Sequence, residues 1–186
     1  MPKIVARKED WIKLGYQLFT EEGEHGIVID NMSKKLTCNR SSFYWHFKTK
    51  KAFIAEVIGH WVEKETQNII RAIDKEKSAK ERFRALIMLS FKQNPYLDFV
   101  FYLKKYALSD EVAKKAIYTI DGLRKNYVFS LLVELGYSPE EAKIKTSLFY
   151  KYLIGYHETI RYRKQTDNYI EEILVEIKYF IPLHFK

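Results

Sequence analysis

The chain has 186 residues, 47% hydrophobic and 30% charged. That is room for one compact domain or two small ones, and it excludes wholesale disorder. Seven Gly and four Pro are too few for a many-turned β-sandwich or barrel, and a single Cys excludes an internal disulfide framework and a cysteine-cluster zinc site. Met1-Pro2-Lys3-Ile4 lacks the apolar stretch of a secretory signal, and no run nears the ~18 apolar residues of a membrane span. The expectation is a cytoplasmic protein with no membrane partner.

Apolar positions recur at helical spacing over residues 7–22 (Trp11, Leu14, Leu18, Phe19), and Gly23 closes that helix. A short second helix is predicted over 29–36 from Ile29, Met32 and Leu36. Asn39 is read as the N-cap of a third over 40–47, and Thr49 as the cap of a long fourth over 50–74. Further helices follow from Ser78 to about Gln93, from Pro95 to about Leu108, and from Ser109-Asp110-Glu111 to about Leu135. Ser138-Pro139-Glu140-Glu141 has the form of a capping box and opens a helix to about Arg163; a last one spans about 167–180. The reading is all-α with about nine helices.

The net charge is +8, and its distribution is sharper than its size. From Lys34 to Lys51 there are six basic residues (Lys34, Lys35, Arg40, Lys48, Lys50, Lys51) and no acid. A solvated helical face normally mixes signs, so this stretch points to a polyanion. It also contains two short helices joined by a tight turn, the length of a helix-turn-helix. At ~100° per residue, Phe43 and Phe47 share one face of the third helix and must point inward. Ser41, Ser42 and Trp45 are read on the opposite face, with Tyr44 on a flank. Small hydroxyl residues let a helix approach a duplex, and a large aromatic touches sugars or thymine methyls. Arg40, at the helix N-terminus, can reach a guanine edge or a phosphate.

Leu18-Phe19-Thr20-Glu21-Glu22-Gly23, the two short helices, and Phe43-Tyr44-Trp45-His46-Phe47-Lys48-Thr49-Lys50 follow one another over residues 11–53. In that order they resemble the tetracycline-repressor (TetR) family. The resemblance implies that Tyr44 and Lys50 clamp phosphates with His46 supporting them, and that residues 40–42 and Trp45 face bases. It implies a three-helix DNA-binding domain over 1–50 and a helical ligand-binding and dimerisation domain over 51–186. Some positions depart from the family pattern: Val28 stands where Thr is usual, Asp30 follows and would repel a phosphate, β-branched Thr37 replaces the turn Gly, Asn39 stands where Ser or Thr is common but can still cap, and Ser41 is a mild change.

Residues 75–186 are rich in aromatics, among them Phe91, Tyr96, Phe99, Phe149 and Tyr156. They fit either a well-filled core or a pocket for an apolar or aromatic effector, with Tyr102, Tyr106, Tyr127, Tyr152, His157 and Arg161 as its polar candidates. Ile170, Ile173, Leu174 and Ile177 form one stripe, to be buried on the body or on a second copy. Tyr152, Gly155, Tyr156 and Thr159 are further candidates for a dimer face. His25, His60, His157 and His184 have no ligand spacing, and no catalytic constellation, phosphate loop or cofactor motif occurs. Cys38 reads as a buried, inert thiol. The expectation is a homodimeric repressor of a palindromic double-stranded operator. A relative that binds small molecules but has lost operator binding is the alternative; an enzyme has no motif behind it.

Overall fold

A computed structural model describes residues 6–93 and 97–182. Ten α-helices occur among them: α1 (Lys8–Glu22), α2 (Ile29–Lys35), α3 (Arg40–Phe47), α4 (Lys50–Val62), α5 (Asn68–Ile73), α6 (Ala79–Ser90), α7 (Leu97–Tyr106), α8 (Glu111–Glu134), α9 (Pro139–Ile160) and α10 (Tyr169–Ile177). A 3₁₀ turn, Gly23–Gly26, follows α1. The predicted fourth helix is interrupted by a π-helical stretch, Glu63–Gln67, which raises the count from nine to ten. Tyr96 and His184 lie outside the described residues.

The caps decide most boundaries. Thr49 Oγ1 accepts from the Ala52 N–H, and Ser78 and Ser138 form reciprocal capping boxes with Glu81 and Glu141. Asn39 occupies the N-cap position of α3 but makes no side-chain cap bond, and α10 is preceded by Asn168 rather than Asp167. Gly23 ends α1 at φ 65°, its N–H on the Phe19 carbonyl.

The chain divides into two compact units. The first comprises Met1–Glu65 with Pro95–Thr119, the second Thr66–Asn94 with Ile120–Lys186. The sequence reading divides the chain at residue 50; the structure instead puts α4 and α7 with the first three helices. In that unit Trp11, Phe19, Phe43, Phe53 and Phe99 are fully buried, each such side chain contributing on the order of 1.5–3 kcal/mol. Phe53 packs edge-on against Phe43 and Phe47, with centroids at 5.2 and 4.8 Å. Only glycine fits at position 15: a Cβ there would stand 2.3 Å from Phe53 Cζ, so its absence sets how closely α1 approaches α4.

The second unit closes around Phe83, Ile87, Phe91, Leu132, Phe149 and Ile177. Ile173 and Ile177 are buried in this core, so the body itself covers them. Phe91 is its aromatic hub, with Phe149, Tyr152 and Tyr156 at centroid distances of 5.7, 5.4 and 5.3 Å.

Candidate nucleic-acid interface

Helix α3 is eight residues long and sorts its side chains sharply. Phe43 and Phe47 are buried, as their spacing requires. Trp45 is 76% exposed and Tyr44 45%. Arg40 and Ser41 are also exposed. An indole left in water forgoes a large hydrophobic gain, which makes this position a candidate contact surface.

Ser42 corrects the wheel. It is only 8% exposed, its hydroxyl donating to the Ala6 carbonyl at 3.3 Å and accepting from Trp11 Nε1 at 3.4 Å. One turn on, His46 Nε2 donates to the same carbonyl at 3.0 Å. Ser42 and His46 thus line a flank of α3 that holds the chain entering α1. The wheel misplaces Ser42 because 260° from Phe43 on the ~100° rule is a flank, and the incoming backbone covers that flank.

The basic stretch is exposed throughout: Lys34, Lys35, Arg40, Lys48, Lys50 and Lys51 all reach solvent. Arg40 Nε meets Asp30 Oδ1 at 2.9 Å. Lys50 Nζ donates to the Glu24 carbonyl at 2.9 Å, which fixes the ammonium without neutralising it. Lys51 meets Asp110 at 3.2 Å. Lys34, Lys35 and Lys48 have no ion-pair partner among the described residues. Between α2 and α3 lies an open concavity of about 530 Å³, lined by Asp30, Ser33, Lys34, Cys38, Asn39, Arg40 and Ser41. Cys38 is half-buried, and that burial pushes its thiol pKa up.

Both turns flanking α3 hold a non-glycine residue at positive φ, Thr37 at 54° and Lys48 at 61°. Thr37 therefore adopts the conformation for which its branched Cβ is ill suited. The tight α2–α3 turn imposes it: the Cys38 N–H reaches back to the Ser33 carbonyl and the Thr37 N–H to Lys34.

The six candidate effector residues are divided between the two units. Tyr102 and Tyr106 belong to the first unit. The Tyr102 ring fills the space beside Gly23, and the Tyr106 hydroxyl lies 3.5 Å from Asp110. Tyr127, Tyr152, His157 and Arg161 belong to the second. There Tyr127 donates to Asp74 at 2.6 Å and Tyr152 to Glu176; burial, then these carboxylates, push both phenol pKa values up. Arg161 pairs with Glu158. His157 Nε2 donates to the Ser90 carbonyl at 2.7 Å, so its neutral ring presents Nδ1 as an acceptor; that atom is buried and without a hydrogen-bond partner.

No family model and no curated protein matches this sequence. Solved structures do. A TetR-family transcriptional regulator from Agrobacterium tumefaciens superposes with a TM-score of 0.75 at 12% identity, over 92% of this chain and 96% of that one. A transcriptional regulator from Rhodococcus sp. RHA1 gives 0.79 at 14% identity, covering 95% of this chain and 97% of its own. A proposed regulator from Saccharomonospora viridis, solved in complex with choline, gives 0.79 at 12%, over 95% and 96%.

The chain has the TetR fold. On that fold the residues whose role the sequence alone does not signal act as partners of other groups. In the sequence Asp30 appears only as a departure that repels phosphate, yet it holds Arg40. Ala6 anchors the α3 flank through its backbone, which no side-chain pattern signals. Arg124, whose Nε donates to the buried Thr66 hydroxyl at 3.1 Å, comes from α8 and pairs across 58 residues of sequence. No helix among the described residues is long and apolar enough to cross a membrane.

Proposed function

We propose that this protein is a transcriptional regulator that binds a palindromic DNA operator as a homodimer and releases it on binding a small effector, acting as a repressor in the cytoplasm. The observation that carries the reading is the outward face of α3: Trp45, Tyr44, Ser41 and Arg40 stand exposed on a helix whose other faces are packed, within an acid-free basic stretch. A helix of this size fits the major groove, the hydroxyl and guanidinium reach base edges, and the surrounding lysines meet phosphates. Ser42 and His46 support that face from behind. Tyr44 and Lys50 meet the backbone.

One α3 reads one half-site, so a second copy is needed. Two helices of the second unit support its placement. On α9, Ile144, Leu148, Lys151 and Gly155 form a solvent stripe opposite the buried Ala142, Phe149 and Tyr150. On α10, Val175 is 55% exposed, opposite Ile173 and Ile177, and Tyr179, in the turn that follows, is 88% exposed. Ile173 and Ile177, with Leu174 packed against them, already serve the core, so these outward residues are the dimer face we favour over the Ile170-to-Ile177 stripe.

The effector is an apolar or aromatic compound held in the second unit, with a hydrogen-bond donor for His157 Nδ1 beside the Phe91 and Tyr156 rings. The fold's occurrence in a protein solved with choline supports a ligand-taking body. Selection of bound duplexes from a random pool tests the reading. A symmetric consensus with two half-sites is the expected result; recovery of unrelated sequences with no consensus would leave only the small-molecule-binding alternative.

A further inference from the structure

We propose that Asp30 is a specificity-determining residue that aims Arg40 at a guanine in each half-site. The inference rests on the operator-binding reading above and adds to it a named reader, a named base and the side chain that positions it.

Arg40 begins α3 and Asp30 lies in the first turn of α2. Both side chains line the open concavity between the helices, with Arg40 Nε 2.9 Å from Asp30 Oδ1. Both are more than half exposed, at 59% and 54%. An exposed pair of this kind adds little to folding, and a carboxylate in the first turn of α2 serves that helix's dipole without having to reach Arg40, so stability gives no reason for the contact itself.

The geometry of the contact supplies one. An arginine side chain has many rotamers, and ordering it on binding weakens recognition. Asp30 engages the guanidinium through Nε. That contact leaves the terminal Nη1/Nη2 edge of an exposed guanidinium available to a ligand. Two parallel N–H groups at that end match the O6 and N7 acceptors on the major-groove edge of guanine. The carboxylate, already paired, presents less repulsion to nearby phosphates than a free one. Ser33 Oγ donates to the Asp30 backbone carbonyl at 2.9 Å and ties down that first turn.

The test is duplex selection with the full-length dimer, followed by competition binding at single base-pair variants of the selected site. The wild type is expected to require G at one position per half-site. Arg40→Ala and Asp30→Ala should both relax that same position by roughly tenfold or more, and the double variant should relax it no further than either single one. Asp30→Asn keeps the acceptor without the charge and should fall between. Affinity for random duplex should be unchanged or slightly higher in Asp30→Ala, because a negative charge has left the face. A purely structural Asp30 would instead lower affinity at all positions alike and reduce the melting temperature. Full discrimination in Asp30→Ala, or relaxation at a different position from Arg40→Ala, would overturn the proposal and leave operator binding standing. A wild type that selects no sequence at all would overturn both.

Discussion

Gln93 and Gln165 clasp each other: each backbone N–H donates to the other's side-chain carbonyl, at 2.9 and 3.0 Å. The amide of Gln165 goes on to the Phe91 carbonyl and the Tyr156 hydroxyl, both at 2.7 Å, and that of Gln93 to the Arg163 carbonyl at 2.9 Å. The clasp stitches the end of α6 to the segment between α9 and α10. It satisfies backbone groups that helix ends leave open, and it sits over Phe91, the hub of the second core. Gln165→Ala should cost about 2–3 kcal/mol, since several partly buried partners lose their bonds together. Urea denaturation measures it, and a loss below about 0.5 kcal/mol, the range of an inert surface change, would show the clasp to be incidental.

Thr37 carries strain that glycine would not. Its φ of 54° costs a β-branched residue roughly 1–2 kcal/mol. Thr37→Gly should therefore stabilise the protein by about 1 kcal/mol or slightly less, after glycine's larger unfolded-state entropy is deducted. That is a rise of about 2–4 °C in Tm for a chain of this length. A fall in Tm would mean the hydroxyl or methyl contributes more than the strain removes.

Ser42 and Trp45 should separate cleanly. Ser42→Ala removes the buried bond to Ala6 and should lower stability by about 1 kcal/mol while keeping the selected operator. Trp45→Ala should leave the melting temperature nearly unchanged and alter the preferred sequence. If each subunit neutralises about four phosphates, log K should fall with log salt at a slope of roughly −7, and Lys50→Ala should flatten it by about two. Fluorescence anisotropy at four salt concentrations reads both effects; a Lys50→Ala protein with the wild-type slope would remove that lysine from the phosphate clamp.

Acid should destabilise the protein in two steps. Burial lowers the His157 pKa; the Ser90 carbonyl opposes this and the Arg124 charge adds to it. Burial and two lysines, Lys64 and Lys13, lower that of His60. A depressed histidine contributes stability that is whole above its unfolded pKa of about 6.5 and is lost as pH falls toward and through the folded value. Asp110 follows at lower pH. Burial raises its pKa, but the Ala113 N–H and the Lys51 ammonium outweigh that and hold the carboxyl below the usual range. Its contribution is whole above about pH 3.9 and is lost as pH falls through the lowered value. Urea midpoints should be level above pH 7 and decline between pH 6.5 and 5, with a shallower decline in His157→Gln. An unchanged slope in that variant would assign the first step to His60 alone.

The dimer face has its own discriminating pair. Leu148→Asp, on the outward stripe of α9, should yield a folded monomer in sedimentation and abolish operator binding. Ile173→Asp, in the core, should unfold the second unit instead, because it buries an unpaired carboxylate. A Leu148→Asp protein that remains dimeric at micromolar concentration would move the interface elsewhere.

The α3 core face was legible in the sequence because its signals are local: Phe43 and Phe47 follow the helical period, and Thr49, Ser78 and Ser138 cap within four residues of their own position. The same locality made the basic stretch visible and exposed Trp45 as an aromatic with no inward place. What only the tertiary structure decided are pairings between residues far apart in the chain. The flank of α3 is closed by Ala6, so Ser42 turns from reader to support. Asp30 turns from repellent to partner because the α2–α3 turn brings it to Arg40. Tyr102 and Tyr106 fall in the first unit and Tyr127, Tyr152 and His157 in the second because α7 packs beside α1, where the Tyr102 ring takes the space that Gly23 leaves, a choice no period signals. The Ile173/Ile177 stripe had to be buried, but only the filled core around Phe91 determined that the body, and not a second copy, buries it.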